Sequence, residues 1–168
     1  IQMLQSQIKP HFLYNTLACI RSLAKQNRME EIRETISSLV GLLAYTCDKT
    51  DDFVTINEEI QSLKKYIQIQ HMRYGDVFHI EYQISPDTSE CYCPKLTLQP
   101  IVENAIFHGI LPAEENGAIR IETKIYNEEL HIFVKDNGIG FSADRFEKIL
   151  AGIEPDNNSN AFNHVGLK

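Results

Sequence analysis

The chain has 168 residues, 43% hydrophobic and 23% charged, a globular balance that admits one ordinary domain or two small ones. Sixteen Lys and Arg against 23 Asp and Glu leave a net charge of −7, a sign that repels phosphate backbones and argues against nucleic-acid binding. No apolar run approaches the roughly 20 residues of a membrane helix and no signal-peptide pattern is visible, so the chain as given reads as soluble; its opening in mid-pattern (Ile1-Gln2-Met3-Leu4) and its stop at Lys168 read as a piece of something longer.

The first fifty residues are helical in pattern, with apolar residues every three or four positions. Ile1, Leu4, Ile8 and Phe12 cluster on one side of the first helix; beyond Pro10 the apolar side becomes Leu13, Leu17, Ile20 and Leu23. A proline inside a helix removes a backbone bond and kinks it, which accounts for the change of face. Gln26-Asn27-Arg28 is a short turn, and Met29, Ile32, Ile36, Leu39, Val40, Leu43 and Cys47 form the stripe of a second helix. Residues 1–25 and about 29–48 thus read as an antiparallel helical hairpin. Two helices with one apolar face each cannot close a core alone, so pairing with a second copy into a four-helix bundle is expected.

Residues 48–53 are polar and read as a linker. Thr55-Ile56-Asn57-Glu58 has capping-box spacing and opens a helix over about 56–73, with Ile60, Leu63, Ile67 and Gln70 on one stripe and Gly75 at its end. Val77 to Ile84 alternates as a strand does. Cys91-Tyr92-Cys93 has no second Cys/His pair at zinc-site spacing, so the four cysteines read as reduced thiols. Residues 95–108 form a mostly apolar helix stopped by Gly109. Ile119–Ile125 and Leu130–Asp136 alternate as strands about the turn 126–129, Ser142–Leu150 has helical spacing, and 152–164 is a polar, Asn-rich loop. The second part therefore reads as a mixed α+β layer with helices on one face.

Three motifs carry chemistry. In Pro10-His11-Phe12-Leu13-Tyr14-Asn15, His11 and Asn15 are four apart and share a helical face roughly opposite Leu13, Leu17 and Ile20. An exposed imidazole with a reference pKa near 6.5 is about three-quarters neutral at pH 7 and competent as a nucleophile; an ordinary surface histidine beside a kink fits the same residues. In Gln99-Pro100-Ile101-Val102-Glu103-Asn104-Ala105-Ile106-Phe107-His108-Gly109, polar groups interrupt an oily helix and need partners. The amide oxygen of Asn104 suits Mg²⁺ beside phosphate oxygens, protonated His108 adds positive charge to the same phosphates, and Glu103 is able to poise a water or accept a proton; buried polar residues satisfied by backbone are the plain alternative. In Asp136-Asn137-Gly138-Ile139-Gly140-Phe141, a carboxylate at the end of an apolar strand needs a donor, for which the exocyclic amine of adenine is suitable. Gly138 and Gly140 allow close backbone approach, although an Asn-Gly hairpin turn fits as well.

The order of these motifs resembles a family. Gln7 to Leu17 looks like the H-box of LytS/YesM-type bacterial sensor histidine kinases, Gln99 to Gly109 like their N-box, Asp136 to Phe141 like the G1 box, and His164-Val165-Gly166-Leu167-Lys168 like the start of the G2 box; Tyr66-Ile67-Gln68-Ile69-Gln70 with Arg73-Tyr74 resembles the helix between the H- and N-boxes. The resemblance implies an ATP-dependent autokinase of a two-component system. Residues 1–50 would be the dimerising hairpin that presents His11 as phosphoacceptor, and 53–168 an ATP-binding domain of the Bergerat type shared with gyrase and Hsp90, ending before its closing helix and strands. Asn104 would ligate Mg²⁺, His108 would face the phosphates, Asp136 would bind adenine, and Gly138, Gly140 and Gly166 would frame the nucleotide under a lid of 152–165. Phosphate would pass from His11 to an aspartate of a response regulator. Sensing and membrane segments would lie N-terminal to this chain, leaving it as the cytoplasmic part of a membrane sensor.

Two departures follow from the comparison of motifs. Phe12 stands where many histidine kinases carry an acid after the phosphoacceptor, so Glu103, brought up by domain closure, is expected to orient His11. His164 stands where G2 often has its first glycine. Asn15, four after His11, is expected to hold a water for dephosphorylating the regulator. Two competing readings are an ATPase of the same fold, in which Glu103 activates water, and a non-catalytic dimerisation module.

Overall fold

A computed structural model describes residues 9–48, 52–113 and 116–140. Expectations for Ile1, Leu4 and Ile8, for the helix 142–150, for the loop 152–165 and for Gly166 lie outside these residues. The order is α1 (Pro10–Lys25), α2 (Met29–Cys47), β1 (Phe53–Thr55), α3 (Ile56–Tyr74), β2 (Phe78–Ile84), β3 (Tyr92–Pro94), α4 (Leu98–Asn104), a π turn (Ala105–Ile110), β4 (Gly117–Tyr126) and β5 (Glu129–Asp136), an α+β arrangement.

The hairpin is present, but Pro10 does not sit inside a helix. Lys9 is extended (φ −63°, ψ 125°), so Pro10 opens α1 at its first position, where a missing N–H costs nothing. The buried face of α1 is Phe12, Thr16 and Leu23; of the expected stripe Leu23 is buried, Leu13 and Ile20 are half-buried, and Leu17 is 56% exposed. Likewise α2 buries Thr35, Ser38, Leu39, Leu42 and Thr46, while Met29, Ile36 and Val40 from the expected stripe stay exposed.

The cause is α3. It packs as a third helix of the hairpin, covering a face that the sequence reading left for a second copy. Ser38 Oγ donates to Gln68 Oε1 (2.6 Å) and Tyr45 OH donates to Glu59, so α2 and α3 run antiparallel. The Phe12 and Tyr66 rings stack at 5.5 Å and Cys19 Sγ donates to the Met72 carbonyl, so α1 and α3 run parallel. Gly41 lies under the Lys65 side chain, whose Nζ would be 2.8 Å from a Cβ at this position. The capping box of Thr55 and Glu58 starts α3 as expected, and Gly75 (φ +72°) ends it.

The segment read as a linker ends in a strand: β1 pairs antiparallel with β3, Val54 opposite Cys93. Three-residue strands carry too little alternation to be read from sequence. The main sheet has the order β2-β4-β5, with β2 and β4 parallel and β4 and β5 antiparallel. Ile119, Ile121 and Thr123 of β4 face inward, and one core runs from Phe12, Leu39 and Leu42 through Ile56, Leu63 and Tyr66 to Leu98, Val102 and Ile121. The turn between β4 and β5 places Asn127 and Glu128 at φ 51° and 64°, the left-handed pair of a type I′ hairpin.

Gly109 does not stop a helix. The α-helix begins at Leu98, ends at Asn104 and continues as the π turn, which buries Ala105, Ile106, Gly109 and Ile110. π turns insert one residue into the helical ladder and recur at functional sites.

Candidate functional site

At the start of α1, His11 is exposed while Phe12 is buried, because successive helical residues point 100° apart. Asn15 lies one turn on, its amide nitrogen 3.0 Å from Nδ1 and 3.1 Å from Nε2 of His11. Among the described residues, Asn15 is the hydrogen-bond neighbour of this ring. Nearly equidistant from the two ring nitrogens, its amide N–H can donate to whichever of them is unprotonated.

Two contacts bracket His11. Lys9 Nζ donates to Glu103 Oε1 at 3.0 Å, and Phe12 stacks on Tyr66. The Glu103 side chain is only 12% exposed, against 42% for Lys9. Tyr66 is fully buried; that burial, and after it the negative charge of Glu103, holds its hydroxyl neutral far beyond the ordinary phenol range. The acid that interrupts the oily helix α4 thus has its partner, and that partner comes from the segment leading into His11.

Asn104 is exposed at the end of α4, and His108 is exposed within the π turn. The ladder there steps to the fifth residue, so the two do not keep the four-residue register of a continuous α-helix. Phe107 of the same turn meets Tyr74 edge to face at 5.9 Å, fixing the turn against the end of α3.

The strand β5 delivers Asp136 beside this turn. Asp136 is exposed, not buried at an inner strand end, and its Oδ1 accepts from the Gly138 N–H at 2.9 Å. Asn137 continues the ladder to β4: its N–H donates to the Ala118 carbonyl, and its Oδ1 accepts from Ala118 N at 2.7 Å. Ile139 N donates to the Gly109 carbonyl at 3.0 Å. A Cβ on Gly138 would lie 2.2 Å from the Gly109 carbonyl carbon, and one on Gly109 would lie 2.8 Å from Asp136 Oδ1. Gly140 has φ +65°. The segment is therefore a loop docked on the π turn, not a hairpin turn.

Residues 103–109 link the two regions along the chain: Glu103 meets Lys9 at one end, and Gly109 meets Asp136 and Gly138 at the other. The sequence reading named most of the site residues but missed three. Lys9 precedes the first motif and carries no role in the segment Gln7 to Leu17, Tyr66 enters only as part of a similar helix, and Gly109 only as a helix stop. Only the closeness of two glycines to a carboxylate, invisible in sequence, gives Gly109 its part.

No group of three or more His, Cys, Asp or Glu converges among the described residues. A cation at Asn104 would take most of its ligands from a phosphate-bearing molecule and water, which is the habit of Mg²⁺. The exposed Asn104 amide suits that cation; among the described residues no thiol or imidazole cage arises, and Cys93 is buried, with its pKa pushed up to about 11 by burial and then by Glu59.

Comparison with known proteins bears on the whole chain. The histidine kinase family model matches residues 1–78. The chain is 41% identical over 140 residues (83% of its length) to the sensor histidine kinase YesM of Bacillus subtilis and 35% identical over 158 residues (94%) to the sensor histidine kinase YpdA of Escherichia coli. It is 30% identical over 170 residues (99%) to the sensor protein kinase HptS of Staphylococcus aureus. The chain spans 24%, 28% and 31% of the lengths of these three relatives.

Proposed function

As a member of the LytS/YesM-type sensor histidine kinases, this chain is, we propose, the part of a two-component sensor in which a histidine takes phosphate from ATP and passes it to a response regulator. The observation that carries this reading is the exposed His11 at the head of α1, on a segment held against the N-box residue Glu103. Residues 1–50 form the phosphoacceptor hairpin, and 53–168 belong to a Bergerat-type nucleotide-binding domain.

The lone pair of a His11 ring nitrogen attacks the γ-phosphorus. An N–P bond forms, the P–O bond to ADP breaks, and the other ring nitrogen gives up its proton to Glu103. Phosphoryl transfer asks mainly for positioning and charge neutralisation, so few protein groups suffice. Asp136 holds the adenine amine, Gly138 and Gly140 with Gly166 let the backbone approach the nucleotide, and His108 faces the phosphates. Mg²⁺, held by Asn104, supplies neutralisation of the phosphate charge when bound. Asn15 first fixes the His11 ring and later holds the water that hydrolyses the regulator's acyl phosphate.

Tyr14, Leu17, Met29, Ile36 and Val40, 44–73% exposed, form the face that a second hairpin covers in a homodimer. Among the described residues no helix is long and apolar enough to cross a membrane. As part of a membrane sensor, this region would work on the cytoplasmic side, where a response regulator is met.

The test is labelling with γ-³²P-ATP beside a His11→Gln protein. Acid-labile, base-stable label lost in His11→Gln is expected. Free phosphate alone would identify an ATPase, and no binding of Mg·ATP by calorimetry a non-catalytic module. A Glu103→Gln protein with full autophosphorylation at saturating ATP would remove Glu103 from the mechanism.

A further inference from the structure

Lys9 and Phe12, on either side of His11, both attach to the body that carries the N-box, and they do so differently. Lys9 makes an ion pair at the rim of the seam, 42% exposed, with Glu103 Oε1 at 3.0 Å. Phe12 stacks inside the seam on Tyr66. Beneath α1 the seam is sparsely partnered: the Tyr66 hydroxyl and the Gln70 amide are buried one helical turn apart and, among the described residues, have only a poorly aligned contact with each other. Gln70 lies between the level of the Phe12–Tyr66 stack and that of the Cys19–Met72 contact, so the strip runs along the α1–α3 junction.

Buried polar groups with so few partners gain when water reaches them. A seam of this kind stays shut only while other contacts hold it. Glu103 meanwhile has one oxygen on Lys9, and His11 has its ring beside Asn15. The closed seam keeps the proposed base and the proposed nucleophile on separate partners.

We propose that Lys9 is a positioning residue, a latch that withholds Glu103 from His11 and keeps α1 docked on α3 until the seam opens. When the ion pair breaks, Glu103 is released toward His11 and water enters at Tyr66 and Gln70. The kinetic part of this inference rests on the phosphotransfer reading above; the structural part does not.

The experiment compares the purified protein with Lys9→Gln and Lys9→Arg variants. In the absence of nucleotide, amide hydrogen exchange over 10–16 and 100–106 is expected to be at least threefold faster in Lys9→Gln and near the original rate in Lys9→Arg. At saturating Mg·ATP, the initial rate of His11 labelling is expected to rise three- to tenfold in Lys9→Gln with KM for ATP unchanged. Unchanged exchange in Lys9→Gln overturns the latch. A labelling rate that is unchanged or falls also overturns it, since Lys9 would then be silent or part of the productive arrangement. If the original protein takes no label on His11, the phosphotransfer reading fails, and exchange alone decides whether Lys9 holds the seam.

Discussion

Gly138 and Gly109, 29 residues apart in sequence, meet backbone to backbone: a Cβ on Gly138 would stand 2.2 Å from the Gly109 carbonyl carbon, and the next residue, Ile139, donates to that same carbonyl at 3.0 Å. The contact seats the loop after β5 on the π turn after α4. A Gly138→Ala protein must push this loop away, at a cost of about 1–3 kcal/mol for overpacking. Calorimetric titration with a non-hydrolysable ATP analogue is expected to show binding at least roughly tenfold weaker, since about 1.4 kcal/mol is tenfold, with a lower melting temperature.

The Thr55 cap supports α3, on which both hairpin helices rest. Removing it by Thr55→Ala is expected to cost about 1 kcal/mol and lower the melting temperature by about 2–4 °C. The Thr55 backbone N–H, then its hydroxyl, holds the Glu58 carboxyl below the usual range. A depressed folded pKa contributes stability above the unfolded value, near 4.3, and loses it as pH falls through the folded one. The difference between the two proteins should therefore shrink in melts below about pH 4.

Glu59 is 2% exposed and accepts from Leu96 N (3.1 Å), Leu98 N (2.8 Å) and Tyr45 OH, tying α2 and the start of α4 to α3. In Glu59→Gln an amide N–H₂ must face a donor, so urea unfolding should show a loss of about 1–3 kcal/mol. At the alkaline end, burial, then the hydrogen bond to Glu59, raises the Tyr45 phenol, and burial pushes Tyr82 up to about 12. A raised folded pKa gives stability that is whole below the unfolded value near 10 and drains as pH rises through the folded one. Phenolate absorbance should thus show these two tyrosines ionising after the exposed ones, together with unfolding.

Val40 is 58% exposed on a helix whose opposite face is already covered by α3. Sedimentation is expected to show a dimer for the original protein and a monomer for Val40→Asp. Its melting temperature at low concentration should change by little, because a surface substitution away from packed features stays within about 0.5 kcal/mol. A dimer that persists in Val40→Asp would place the interface elsewhere.

Asn15→Ala removes the amide 3.0 Å from the His11 ring. One hydrogen bond is worth about 1 kcal/mol, so dephosphorylation of the regulator should slow about five- to tenfold. An unchanged phosphatase rate would leave Asn15 with the imidazole alone.

What sequence reading reached and what it missed divide along physical lines. The hairpin, the capped start of α3, the Gly75 end, the β4–β5 turn and the three motifs were legible because each is written within a turn or two of chain: periodicity, caps and left-handed residues act locally. The short strands β1 and β3 were not legible, because three residues carry no period. The proline reads in sequence as a kink within a helix; its place at the head of α1 depends on Lys9 being extended.

By itself the sequence determined the two hairpin helices, the long helix α3 and the strands β2, β4 and β5, that His11 lies on an accessible surface, and which residue types stand in the three motifs. Only the tertiary structure decided which faces are used. Thr35 and Ser38 are buried and Val40 is exposed because α3, not a second copy, took one side of the hairpin. It also decided that Lys9 finds Glu103 across 94 residues and that Gly109 faces Asp136. Such pairings have no local signature: they follow from the free energy of the whole core closing at once, in which polar residues are carried inside when the apolar groups beside them gain more by burial.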